Sequence, residues 1–569
     1  MTVAFVESAT ARVRASTWLP VLGRAERVFD RALSGVGLTC ATWAFAASLV
    51  PSLLPRAAWQ QGVVSGVTVA VGYGFGASAQ AVWDYLGIPG LRGRVRTGAT
   101  AVLVGLGLLG AVLNAWRLVG WQNELRRTFG MEPTSATIWP VVVLVTVLLA
   151  TALLLIGRSI RQLARASVGW FGRRLPPRLS RVIGVGLVVA LFWGLWTGVI
   201  VRGFFAGANA VFAPQDTIGT HGSVRPSVPE RSGTAESLTR WEDLGRYGRV
   251  FVRGGPSVAN LEAVNGVGAK VPIRVYAGLQ SAQTPQGRAD LVLAELKRTG
   301  AFERRVLVVA TTTGMGYLDR RATNTIEYAW NGDTAIAGVQ YSYLPSWISL
   351  LADQEEVVET SRVVFETVRD HWATLPEAER PALYLYGLSL GSKGVEGVLS
   401  SVNILGASID GALMVGPPFV NELHDRLTLE RDEGSPAALP VYEQGRTVRF
   451  LDEHGGAERT PGPWGPTRVA YLQHASDPVT FFSSDLAFER PEWLSDSERG
   501  PDVSERMGWF PVVTMWQVLL DMPGADSVPD GFGHKYSSEA HLRAWVAVTD
   551  PPNWSAERER RILDALEGR

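Results

Sequence analysis

The sequence predicts two unlike parts: an N-terminal all-α transmembrane bundle of about five helices, and a C-terminal α/β domain with a mostly parallel sheet. Three observations predict this. Five runs before residue 202 are 19 to 21 residues long, apolar and nearly free of charge. From about residue 238 the composition becomes that of a soluble domain, with short apolar runs alternating with helical patterns. A G-x-S-x-G stands between one such run and one such helix. The chain of 569 residues balances 54 Lys+Arg against 54 Asp+Glu, so no basic excess marks a nucleic-acid binder. Its one cysteine, Cys40, excludes an internal disulfide framework and a cysteine-ligated metal site.

The five runs are residues 36–54, 62–82, 97–116, 138–157 and 182–201. About 20 helical residues cross a hydrocarbon core of about 30 Å. Arginine sets the expected orientation. The N-terminal arm (1–35), the 2–3 loop (Arg92, Arg94, Arg96) and the 4–5 loop together hold 15 arginines, against 4 in the other loops. The arm is therefore expected in the cytoplasm of a multi-pass plasma-membrane protein. Five crossings place everything after residue 201 outside. Gln80 and Asn114 are the larger polar side chains in the spans, which argues for an anchor rather than a transport pathway. Gly72, Gly74, Gly76, Gly105, Gly107 and Gly110 suit close helix packing. Residues 206–237 are rich in Gly, Pro, Ser and Thr and read as a linker between the transmembrane domain (36–205) and the soluble domain (238–569).

Strands are expected at 271–279, 306–311, 334–343, 382–387, 407–416 and 468–474. Their near-continuous apolar character fits parallel strands covered on both faces. Helices are expected at 286–299, 354–372, 393–402 and 419–430, with another at 512–521 and no clear last strand after residue 477. In such sheets function sits at the carboxyl ends of the strands.

Gly387-Leu388-Ser389-Leu390-Gly391 directly follows a strand and directly precedes a helix. This is the order of a nucleophile elbow, in which glycines permit the sharp turn and the helix start favours negative charge. A serine needs a base, and the base an orienting acid, in the order Ser, acid, His. Asp477 ends a strand, whereas Asp410 precedes one and faces the wrong end. His534 lies in a glycine-flanked loop before the last helical stretch. His541 falls inside that helix and reads as a surface residue; His474 and His424 read as packing or surface residues. The expected oxyanion donors are the Leu390 amide and one from the loop after 306–311, at Thr313 or Gly314. No phosphate-binding loop or metal-type histidine pair occurs, and Gly314-Met-Gly316 is not completed to G-x-G-x-x-G, so no cofactor or metal is expected.

These residues resemble the actinobacterial membrane α/β-hydrolase family. The matching stretches are Ser52-Leu-Leu-Pro-Arg56, Gln340-Tyr-Ser-Tyr-Leu-Pro-Ser-Trp347, Gly387-Leu-Ser-Leu-Gly-Ser392, Val415-Gly-Pro-Pro418, Tyr471-Leu-Gln-His-Ala-Ser-Asp-Pro478 and Trp509-Phe-Pro-Val-Val513. The resemblance implies an α/β-hydrolase domain with Ser389 as nucleophile. The family's His-Gly-His pattern is here Phe532-Gly533-His534, which leaves His534 as the candidate base in that loop. Residues and resemblance together point to a membrane-anchored serine ester hydrolase, with the bilayer and an amphiphilic or lipid ester as partners. An acyltransferase would use the same triad. A non-catalytic ligand-binding protein is the reading from another class.

Overall fold

A computed structural model describes residues 33–568, except 92, 219–223, 353, 402–408, 461 and 496. The N-terminal arm expected in the cytoplasm lies almost wholly outside the described residues, as does Arg92. The chain divides into two units. The first holds the described part of Met1–Arg127, with Glu132–Val189 and Arg506–Leu520. The second holds Thr128–Met131, Ala190–Glu505 and Asp521–Arg569.

In the first unit, Ser34 caps helix α1 (Gly35–Ser48) by accepting from the Gly37 N–H. With 14 residues, α1 is about 21 Å long, too short to cross a bilayer. The run expected to span at 36–54 breaks because a turn containing Pro51 and Pro55 follows and is itself buried. Side chains satisfy that turn's backbone, as buried irregular structure in an apolar setting requires. Gln61 Nε2 donates to Ser48 O at 2.9 Å, Gln517 Nε2 donates to Val50 O at 2.9 Å, and the Arg56 N–H donates to Gln122 Oε1 at 2.9 Å. Leu53 and Leu54 are buried there, which gives the Ser52–Arg56 stretch a packing role.

Four helices, not five, are long and apolar enough to cross a membrane among the described residues. They are α2 (Ala58–Tyr85), α3 (Gly93–Thr128), α4 (Trp139–Phe171) and α5 (Pro177–Leu195). Glycines mark close crossings: a Cβ on Gly72 would press on the Cys40 carbonyl, and one on Gly107 on Thr42. Gly74 and Gly105 face open space. A π-helical turn (Trp196–Val201) then leads into α6 (Arg202–Ile218), which occupies the start of the expected linker. The Phe- and Ala-rich stretch 204–213 sustains this helix despite Pro214.

The second unit carries α7 (Gly245–Arg253), then β1 (Ile273–Ala277), α8 (Pro285–Arg298), β2 (Val306–Thr311), α9 (Arg320–Ala329) and β3 (Thr334–Val339). There follow α10 (Gln354–Thr374), β4 (Ala382–Leu388), α11 (Leu390–Ser401), β5 (Gly411–Val415), α12 (Glu422–Leu429), β6 (Val448–Leu451), β7 (Arg468–Leu472) and α14 (Ser538–Thr549), with α13 (Val513–Asp521) between the last two. The sheet order is β1-β3-β2-β4-β5-β7-β6, and every pairing is parallel. β4 is the central strand. Alternate residues feed opposite faces. Leu307 and Val309 join a core with α8, α10 and α11, while Val306, Val308 and Ala310 join one with α7, α9 and α14. β6 at the edge has no counterpart in the expected strands, and no strand follows β7 among the described residues.

Candidate active site

β4 ends at Leu388 and α11 begins at Leu390, so the turn between them is Ser389 alone. Ser389 takes φ +53°, a left-handed conformation costing a non-glycine residue about 1–3 kcal/mol. Its neighbours hold it there. The Ser389 N–H donates to Val415 O at 2.8 Å, and its carbonyl accepts from the Ser392 N–H at 2.8 Å and the Ser392 hydroxyl at 2.7 Å. A Cβ on Gly387 would overlap the Gly391 carbonyl, and one on Gly391 the Thr311 carbonyl. Both outer positions of the motif therefore need glycine.

Asp477 follows β7 and is fully buried. One carboxylate oxygen accepts from the Val479 N–H at 2.8 Å. The other accepts from His534 Nδ1 at 2.7 Å and from the Tyr536 hydroxyl at 2.8 Å. The loop carrying His534 turns tightly through Gly531 and Gly533, both at positive φ. The Gly533 N–H donates to the Ser476 hydroxyl at 3.0 Å, and the His534 N–H to Ala525 O at 3.1 Å. His534 Nε2 is buried and meets no partner among the described residues. Its ring lies against Gly416: a Cβ there would come within 2.6 Å of His534 Cε1. Gly416 follows Val415, whose carbonyl holds Ser389. Base and serine thus share one corner of the sheet. Residues 57 apart in sequence meet in the Asp477–His534 pair.

Burial opposes the charged form of both partners. The carboxylate outweighs it at His534, pushing the ring up to about 9. In the same way the His534 charge, with the hydrogen bonds from His534, Tyr536 and Val479, overcomes burial and holds Asp477 below the usual carboxylate range. Such a pair fixes the imidazole tautomer with Nδ1–H on Asp477 and leaves Nε2 to exchange a proton.

Leu390 opens α11, where its N–H has no intrahelical acceptor. The Thr313 N–H instead donates to Tyr317 O at 3.0 Å. That leaves the Gly314 N–H as the uncommitted amide of the two expected in this loop. The loop is clamped: a Cβ on Gly314 would strike the Leu344 carbonyl, and Tyr276 donates to Gly316 O at 2.7 Å. Gln340 Nε2 reaches Ser342 O at 3.1 Å, Met315 O at 3.4 Å and the buried Asp216 carboxylate of α6 at 3.2 Å. A cleft of about 540 Å³ is lined by aromatic residues such as Phe419, Phe481 and Trp493 and by charged ones such as Arg431 and Glu492, with Thr480 from beside Asp477.

Asp410 lies at the opposite end of the sheet, accepting from the Leu383 N–H at 2.7 Å. His541 is buried rather than at the surface, because its side of α14 faces the sheet; its Nδ1 meets Ser537 O at 2.8 Å. Tyr536, Ser476, Gln340 and Asp216 were not legible as site residues, since only tertiary contacts give them their partners. Among the described residues no cluster of three metal-ligating side chains occurs.

A family model described as the alpha/beta-hydrolase family matches residues 273–562. A second, described as the N-terminus of the alpha/beta-hydrolase family, matches residues 49–256. Neither the curated proteins nor the solved structures searched give a match.

Proposed function

Because the chain belongs to this alpha/beta-hydrolase family, we propose that it is a membrane-bound serine hydrolase cleaving an ester through an acyl-enzyme on Ser389. The observation that carries the reading is the buried Asp477–His534 pair, whose Nε2 has no partner and whose ring packs beside the turn holding Ser389.

Ser389 Oγ attacks the ester carbonyl while His534 Nε2 takes its proton. The oxyanion lies on the Leu390 and Gly314 amides, at the start of α11 where the helix dipole favours negative charge. The alcohol leaves with the proton from His534. Water, activated by the same nitrogen, then releases the acid and restores the serine. Asp477 holds the ring and stabilises its charge throughout. Since the base must be neutral to start, acylation rises with pH through about 9.

The substrate class in this reading is an amphiphilic or lipid ester, which four helices long and apolar enough to cross a membrane support, since an enzyme held at a bilayer meets such esters at high local concentration. Arg92, Arg94 and Arg96 around the α2–α3 connection, and the seven arginines of 158–181 around the α4–α5 connection, favour the cytoplasmic side for both in a multi-pass plasma-membrane protein. Four crossings then keep the catalytic part outside.

Labelling by a fluorophosphonate tests the reading. Wild type is modified at Ser389 and Ser389→Ala is not. A folded wild type that resists the probe across the pH range overturns it.

A further inference from the structure

His474 lies two residues past β7, outside the reacting trio. It is 2% exposed. Its Nδ1 faces Gly533 O at 2.9 Å, and its Nε2 faces a Glu453 carboxylate oxygen at 3.1 Å. A carbonyl and a carboxylate only accept. A neutral imidazole has one N–H, so it can satisfy only one of them. Both contacts are hydrogen bonds only if both nitrogens carry protons.

The surroundings suit that charge. The ring stacks on Tyr536 with centroids 4.2 Å apart and planes 22° apart, a face that attracts a cation. Glu453, just beyond β6, is also held by Ser537. Asp502 comes close by accepting from the Ser476 N–H at 2.9 Å. The remaining titratable neighbours are Asp477 and His534, reached through Tyr536 and Gly533, and His541, which meets the Tyr536 ring edge-on at 6.4 Å. Burial opposes protonation of His474, but Glu453 outweighs it and leaves the ring raised, while Glu453 itself is lowered.

Besides Glu453, the two groups His474 touches are neighbours of the catalytic pair. Gly533 is the residue before His534, and Tyr536 donates to Asp477. We propose that His474 is a positioning residue held permanently as an imidazolium by Glu453, which fixes the His534 loop through Gly533 and the Asp477 carboxylate through Tyr536. The role in catalysis rests on the serine-hydrolase reading; the protonation state does not.

Two measurements on the full-length protein in detergent test it. The first is ¹⁵N NMR of the histidine rings, with His474→Phe identifying the His474 signals. Both nitrogens are expected to stay protonated from about pH 6 to 9, well past the ordinary histidine range. One bare ring nitrogen at neutral pH overturns the proposal. The second is the rate of Ser389 labelling by a fluorophosphonate, read beside the downfield Nδ1–H signal of His534. His474→Phe keeps the stack and removes both donors. It is expected to slow labelling about tenfold or more and to shift or broaden that proton, since small misplacement of a base is costly. Labelling at the wild-type rate with an unmoved proton overturns the positioning role, even if the thermal midpoint falls. If His474→Phe does not fold, Glu453→Gln identifies the signals: it is expected to let His474 titrate within that range, and an unchanged protonation overturns the pairing. A wild type that labels nowhere sinks the hydrolase reading instead, and the ring protonation still decides the state of His474.

Discussion

Ser389 is held with its backbone strained, and that strain can be tested apart from the chemistry proposed for its hydroxyl. Ser389→Ala and Ser389→Gly both remove the hydroxyl, but glycine alone relaxes at φ +53°. The glycine variant should be the more stable of the two by about 1 kcal/mol, measured by thermal unfolding, with neither labelled. At Asp477, asparagine keeps the shape but removes the charge that fixes the imidazole. Labelling should fall by about 10³–10⁴-fold. His534 also predicts opposed pH trends. Its folded pKa is raised, so its contribution to stability is complete below its unfolded value and is lost as pH rises through about 9. Over that same window labelling should increase. Thermal midpoints of wild type against His534→Gln check the first trend, since the variant lacks that slope. A slope shared by both would remove His534 as its source. Tyr536→Phe strips a donor from a buried carboxylate and should cost about 1–3 kcal/mol while leaving slower labelling.

Among the elements, legibility tracked how local the determinants are. β2 is apolar along its whole length, and its expected bounds coincide with those observed. β6 is four residues with a charge inside it, Val-Arg-Phe-Leu. Arg449 is buried only because its guanidinium finds the carbonyls of Gly445, Ala457 and Gly462, contacts no local pattern announces. α1 was overestimated because hydropathy does not register that Gln61, Gln122 and Gln517 satisfy the turn that stops it. The serine turn was visible as a motif, and Asp477 and His534 by chain order, but their approach to 2.7 Å needs the whole sheet. α6 was hidden by its small residues, yet it supplies Asp216. That carboxylate accepts from Gln340 and from the Arg246 N–H at 2.8 Å, so α6 reaches the loop that carries Gly314. Asp216→Ala should lower kcat for a soluble ester more than it raises KM, with Asp216→Asn recovering part of the loss. Equal activity in all three would sever α6 from the loop.

At the scale of the molecule, the two units exchange chain. The turn Thr128–Met131 between α3 and α4 counts with the second unit, where Phe129 is buried and stacks on Phe532 at 4.3 Å. Arg506–Leu520 counts with the first, where Val513 packs on Ala44 and Ala47 and Gln517 closes the turn after α1. A chain cut to residues 224–569 would therefore carry α13 without the surface that buries it. It should aggregate where the full chain in detergent does not, which size-exclusion chromatography would show.

That exchange also imposes an order on biosynthesis. The helices made first leave the ribosome without the segment that completes them, which arrives only after Val189–Arg506 has been translated. At about 5–20 residues per second this is a wait of roughly 15–60 s. For that interval the turn after α1 has no Gln517 to cover its carbonyl, and only the late arrival of α13 ends the exposure.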